Sequence, residues 1–333
     1  MFQPYLIKPG IMSNLIKIKK DEISSSLKKH YDIFICSSSF DDRCLSIAKS
    51  INDVKINEII ICHFENNYEC ANSNFEQLKG IFVNQKSNLD TIVFKKHDPL
   101  RNFDLLHSTF STIKFPESPD ILIDITSFTR ENLLILLRYI QISFASSLNL
   151  VTLCYSPSSH YPNWLSKGVN QIRSILGYAG DFSPLKKLLL VVLTGFEYER
   201  SQILIDNYEP AKLLLGRATS KHSITEGLAE INEDHYKRLM MRNLFATEFE
   251  FSCIDINKTK EIILSIAKRY EEDYNVIIAP MNNKLSTLAV AFAAMENQNI
   301  QICYASTNQY NIEEKHGEAD FFYCFELSDF IKT

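Results

Sequence analysis

Ten short apolar runs alternating with stretches of helical spacing constrain this chain more than any other feature. Five precede residue 156: "YDIFICSSS", "INEIIICHFENN", "DTIVFKKHDPL", "PDILIDITS" and "NLVTLCYS". Five follow residue 187: "KLLLVVLTG", "PAKLLLG", "ATEFEFSCID", "YNVIIAP" and "IQICYAS". A strand with one wet face alternates apolar and polar residues. These runs are nearly continuous, so both faces are buried, as in a parallel sheet covered by helices.

The spacing therefore predicts an α/β fold. At 333 residues the chain suits about two domains, because a domain usually takes ~100–200 residues. We read two tandem Rossmann-like domains with mainly parallel sheets, at 31–155 and 188–333. A Lys-rich N-terminal arm covers 1–30, and a connector with one short helix covers 156–187. The tail "ADFFYCFEL" is read as an added edge strand.

The halves also match in sequence order. "SSFDDR" and "TGFEYER" follow their first strands, aligning Asp42-Arg43 with Glu199-Arg200. "DITSFTREN" and "APMNNKLST" follow the fourth. "CYSPSSHY" and "CYASTNQY" follow the fifth. Three matches in one order at the same junctions point to internal duplication. Convergent topology is the alternative.

In an open parallel sheet, ligands bind beyond the carboxyl ends of the strands, where strand order reverses. With order 3-2-1-4-5, that crevice gathers the exits of strands one and four. The first half supplies Ser37, Ser38, Ser39, Asp42, Arg43, Asp124, Thr126, Ser127 and Arg130. The second supplies Thr194, Gly195, Glu197, Arg200, Asn282, Asn283, Lys284, Ser286 and Thr287. Hydroxyls, amides and cations at helix starts suit a phosphate. The same residue types also serve as ordinary N-caps. Tyr155 and Tyr304, at the fifth-strand exits, suit stacking on a base or packing in the core. Tyr161 and Tyr310 lie farther along those loops. Lys167, Arg173 and Tyr178 in the connector are weaker candidates.

Several classes of function find no support. Net charge is −5, against a broad grip on nucleic acid or an anionic membrane. Neither GxGxxG nor GxxxxGK[ST] occurs, so neither a dinucleotide cofactor nor a P-loop nucleotide is expected. No Cys/His cluster suggests a metal, and no GxSxG marks a nucleophile elbow. The eight cysteines form no CxxC pair and read as buried free thiols of a reducing cytoplasm. His63, His97 and His160 fall near strand exits. No signal peptide or membrane-length apolar run is evident.

"LIDITSFTREN" resembles the fourth-strand motif of CARF-type domains, Rossmann-like sensors of cyclic oligonucleotides in prokaryotic antiviral defence. "CSSSF" and "LTGFE" are similar to the first-strand loop of that family. "APMNNKLST" keeps the basic residue and hydroxyls but lacks the Asp. The resemblance implies two domains sharing one ligand across a pseudo-two-fold axis. It also implies a separate effector protein, since no nuclease segment is evident. On this reading Arg43, Arg130, Arg200 and Lys284 neutralise phosphates. Ser38, Ser39, Thr126, Ser127, Asn282, Asn283 and Ser286 donate hydrogen bonds. Two alternatives stand beside this sensor of a nucleotide or phosphate ligand. One is an enzyme acting on a nucleotide or nucleotide-sugar through Asp42, Asp124 or Glu197. The other is an assembly subunit with decayed sites.

Overall fold

The computed structural model describes residues 15–64, 68–83 and 87–331. Residues 1–14 of the arm lie outside them, as do the ends of the second strand and second helix read from the sequence. In chain order the elements are β1 (Ile16–Lys19), α1 (Ile23–Ser26), β2 (His30–Ser37), α2 (Ser46–Ser50), β3 (Lys55–Phe64), α3 (Glu69–Val83), β4 (Asn88–Phe94), α4 (Pro99–Thr112), β5 (Ile121–Asp124), α5 (Arg130–Ser143), β6 (Val151–Tyr155) and β7 (Ser166–Ser174). Then come β8 (Lys187–Leu193), α6 (Tyr198–Tyr208), β9 (Lys212–Arg217), α7 (Glu226–Arg242), β10 (Thr247–Glu250), α8 (Ile256–Tyr270), β11 (Tyr274–Pro280), α9 (Lys284–Glu296), β12 (Ile300–Tyr310) and β13 (Phe321–Glu326).

Two mainly parallel sheets result, as the apolar runs predict. One runs β1-β13-β6-β5-β2-β3-β4 and the other β10-β9-β8-β11-β12-β7. Within each, the five parallel strands take the order 3-2-1-4-5. The order reverses between β2 and β5 in one sheet, and between β8 and β11 in the other. The strands feeding those points are buried along their length: Ile121–Asp124, and Val276–Pro280 of β11.

Both sheets then gain one antiparallel strand beside the fifth, and each is supplied by the other half. The chain leaves β6 in the first sheet, crosses, and pairs as β7 with β12 of the second. It leaves β12, crosses back, and pairs as β13 with β6 and β1. The connector thus carries a strand where the sequence suggests a short helix. Its polar run "SKGVNQIRS" has only Val169 and Ile172 packed against the second sheet's core, and it joins an edge. The tail strand is interior, between β1 and β6 of the first sheet. This fits its burial from Phe321 to Phe325. The described part of the arm supplies β1 at that sheet's edge.

One core spans both sheets. Leu133 and Leu137 of α5 share it with Leu285, Ala289 and Phe292 of α9. Both helices are buried along most of their length, and α9 is apolar nearly all round, which marks a helix packed between layers. Their starts are capped alike: Thr129 Oγ1 accepts from Asn132 N, and Asn283 Oδ1 from Ser286 N. All cysteines are free and, apart from Cys70, buried. Among the described residues, no helix is long and apolar enough to cross a membrane, and no group of His, Cys, Asp or Glu could hold a metal.

Candidate functional site

The two reversal points face one another across a single cavity of about 390 Å³. Its walls come from the exits of β2, β5 and β6 in one half and of β8, β11 and β12 in the other.

Two buried arginines build the floor. Arg43 Nε meets both carboxylate oxygens of Asp41 at 3.1 and 3.0 Å, and its Nη1 donates to Ser156 O at 3.2 Å. Arg200 Nη1 donates to Glu197 at 2.8 Å, and its Nε to Ala305 O at 2.7 Å. Ser156 and Ala305 each directly follow the tyrosine of the "Cys-Tyr" stretches. Arg43 therefore ties its first-strand loop to the start of the crossover after β6, and Arg200 ties its own to the middle of β12. The acid partners are Asp41 and Glu197, whereas the sequence match pairs Asp42 and Glu199 with these arginines. Asp42 turns outward to Lys315 at 2.6 Å, and Glu199 is exposed. Burial pushes the Asp41 carboxyl up. The Arg43 charge and hydrogen bonds from His316 and Arg43 outweigh it, holding Asp41 well below the usual carboxylate range.

The first residue of each core helix reaches toward the opposite half. Arg130 Nη2 donates to Asn282 O at 2.5 Å and Met281 O at 3.3 Å, and Nη1 meets Glu197 at 3.4 Å. Lys284 has no carboxylate partner among the described residues. Burial and then the charges of Arg130 and Arg43 lower its amine to about 7, with Asp41 and Glu197 opposing. The cavity is lined by Lys96, Arg43, Arg130, Arg200 and Lys284 against Asp41, Glu131 and Glu197. In a chain of net charge −5, it holds a surplus of positive charge.

Aromatic rings make the walls. Phe40 packs on Tyr310 with centroids 5.5 Å apart, and Tyr161 on Phe196 at 4.6 Å. Arg200 lies over Tyr304 at 5.2 Å. Three buried polar atoms on the lining have no partner: Ser127 Oγ, Thr307 Oγ1 and His316 Nε2. Buried polar atoms are nearly always satisfied, so these three are exceptions within the lining residues.

Of the residues singled out from sequence, Ser38, Ser39, Arg43, Thr126, Ser127, Arg130, Tyr155, Tyr161, Glu197, Arg200, Asn282, Asn283, Lys284, Tyr304 and Tyr310 line the cavity. Ser37, Asp42, Asp124, Thr194, Gly195, Ser286 and Thr287 do not. Asp124 is buried behind it and accepts from Thr126 N at 2.9 Å; burial raises its carboxyl to about 7. Ser286 Oγ donates to Asn283 O at 3.0 Å, within the helix cap. Lys167 covers Trp164, and Tyr178 bonds Leu134 O. Arg173 clamps Glu131 at 2.7 Å, so it supports the wall from outside. Asp41, Lys96, Thr307 and His316 were missed. Glu197 and Arg200 have the i,i+3 spacing of a helical ion pair, a usable signal, whereas His316 arrives from a distant crossover and has none.

Gly195 is required by close approach. A Cβ there would lie 1.9 Å from Met281 O. Gly195→Ala is expected to destabilise the protein by about 1–3 kcal/mol or more, read as a lowered urea midpoint. An unchanged midpoint would show that the β8 and β11 exits part freely.

No family model matches the sequence, and no curated protein matches it. Among solved structures, the fold is similar to a type III CRISPR defence DNA nuclease activated by cyclic oligoadenylate. That alignment has a TM-score of 0.52 and 5% identity, over 86% of this chain and 68% of that one. Can2 from Sulfobacillus thermosulfidooxidans, in complex with cyclic tetra-adenylate, aligns at a TM-score of 0.28 and 10% identity, over 82% of this chain and 95% of that one. The first match shows a shared fold, and the fold comparison rests on it alone.

Proposed function

We propose that this chain is a sensor of a cyclic oligonucleotide, an oligoadenylate above all, in prokaryotic antiviral defence. The ligand sits in the cavity between the halves, and a separate effector protein delivers the output in the cytoplasm. The observation that carries this reading is the shared cavity itself. Corresponding strand exits of two like sheets frame it, with surplus positive charge and tyrosines from both fifth-strand exits. A phosphodiester ring presents repeated anions and stackable bases, which suits such walls. The fold likeness to a nuclease activated by cyclic oligoadenylate supports the same ligand class. Lys284, Arg130 and Lys96 would face phosphates, with Tyr161 and Tyr310 beside the bases. Arg43 and Arg200, already paired, would act mainly by holding the loops. We further propose that the halves arose by duplication.

Thermal unfolding with cyclic di-, tri-, tetra- and hexa-adenylate tests this. A ligand at 100 times its Kd adds ~2.7 kcal/mol, a shift of several degrees. No shift with any of the four, and no nucleotide carried through native purification, would refute the reading.

A further inference from the structure

Where β13 crosses back into the first sheet, Cys324 Sγ lies 2.8 Å from Cys154 Sγ of β6. We propose that this pair is a redox modification site, which a peroxide closes into a disulfide that clasps the crossing strand to its host sheet. The clasp is independent of any ligand in the cavity.

The backbone already sets the bond up. Cys154 and Cys324 are direct partners in the antiparallel register of β6 and β13. Such partners have Cα atoms about 4.5–5.5 Å apart, inside the ~4.4–6.8 Å that a disulfide spans. Closure therefore needs no backbone movement. The side chains agree, since the two sulfurs face one another within reach of a bond about 2.0 Å long. Cys44 and Cys253, also buried, turn instead to oxygens, of Ser39 and Asn282. Both paired thiols sit in an apolar cluster with Ile18, Leu122 and Phe322. Cys154 is fully buried and Cys324 is 4% exposed, so the oxidant must be small, as hydrogen peroxide is.

Burial raises the Cys154 thiol well above its usual pKa, so its reaction needs a proton acceptor at hand. Asp124 is the partner of Cys154 on the neighbouring β5, and opposed residues share a face of the sheet. Its carboxyl, raised by burial to about 7, is basic for a carboxyl and can receive that proton.

The reaction takes two steps. Cys324 Sγ attacks a peroxide oxygen as the O–O bond breaks. The thiol proton leaves with the departing oxygen as water, and a sulfenic acid remains. Cys154 Sγ then attacks that sulfur and the S–S bond forms. The sulfenic hydroxyl leaves as a second water, with the Cys154 proton passed on by Asp124. Two thiols are oxidised, and one hydrogen peroxide is reduced to two waters. The link closes a loop over residues 154–324, nearly the whole second half, which restricts the unfolded chain. It also fixes β6 one residue before Tyr155, which lines the cavity.

Hydrogen peroxide on the reduced full-length protein tests the pair, followed by unfolding, alkylation and peptide mass spectrometry. The expected product is a peptide pair joining Cys154 to Cys324, which dithiothreitol separates. The urea midpoint of the oxidised protein should rise above that of the reduced one. Cys324→Ala, with native circular dichroism, should form no such link and show no rise. Treated protein in which both residues are still alkylated, or are joined to other cysteines, overturns the proposal. Oxidation of either to sulfinic acid without the link does the same, and a link without a higher midpoint overturns the clasp. If Cys324→Ala misfolds, the wild-type peptide map and midpoint decide.

Discussion

Arg43→Met is expected to lower stability by about 3–5 kcal/mol, read from urea denaturation at neutral pH. The loss comes less from the missing bonds than from what remains. Asp41 has 9% of its side chain exposed, and its carboxylate takes the Arg43 guanidinium as its main partner. Without the cation, the buried charge keeps only His316 and the backbone N–H of residue 43. Ser156 O also loses its donor. Replacing both members, Asp41→Leu with Arg43→Met, should cost much less than the single change, because no charge is left uncompensated. The pH response separates this cause from simple loss of packing. In the native protein the Asp41 carboxyl is held below its unfolded value. Its stabilisation is thus full above about pH 4 and lost on further acidification. In Arg43→Met the buried carboxyl prefers its proton, so the sign reverses and acidification relieves the defect. A single variant that loses under about 1 kcal/mol would mean that water reaches Asp41.

Binding of a polyanionic ligand is expected to weaken as pH rises above 7, by up to tenfold per unit, through Lys284. Its amine loses its proton near pH 7 in the free protein. A phosphate beside it favours the ammonium form and raises its pKa in the complex. Below pH 7 the ammonium is already present, and affinity is flat. Above it, binding must take up a proton, and affinity falls until the pKa of the complex is passed. Titration calorimetry from pH 6 to 9 should show this slope in wild type. Lys284→Arg should bind without the slope, and Lys284→Met weakly without it. A flat wild-type profile would mean that no phosphate meets Lys284. Stability of the free protein has its own sign. Between pH 7 and about 10, the unfolded chain holds a proton that the folded amine has shed, so stability rises with pH across that window.

The sheets were legible because parallel strands buried on both faces leave continuous apolar runs, such as Ile59–Cys62 and Leu189–Leu193. The order 3-2-1-4-5, taken as a premise, is the one observed, and it sets the polar exits of the first and fourth strands side by side. The lining residues were legible for the same reason, since Ser38, Thr126, Asn282 and Lys284 follow those strands directly. What escaped was long-range choice among local equals. In "DDR" either aspartate can face the arginine, and only the fold selects Asp41. The run "SKGVNQIRS" has little periodicity of its own and becomes a strand because β12 offers an open edge. His316 reaches Asp41 at 3.1 Å from a separation in sequence that no local pattern encodes.

The reciprocal crossing of β7 and β13 makes the two halves resemble the arm-exchanged subunits of a two-fold dimer, joined into one polypeptide. Joining removes a restriction that symmetry imposes. In a dimer of identical subunits, any substitution on the shared cavity appears twice, on both sides of the ligand. Here it appears once. Arg130 can therefore brace the opposite loop while its counterpart Lys284 keeps a titratable amine, and Asp124 can stand where the other half has Ala279. A single chain that carries both halves can hold the assembly together with one side while the other keeps an unpaired, titratable amine.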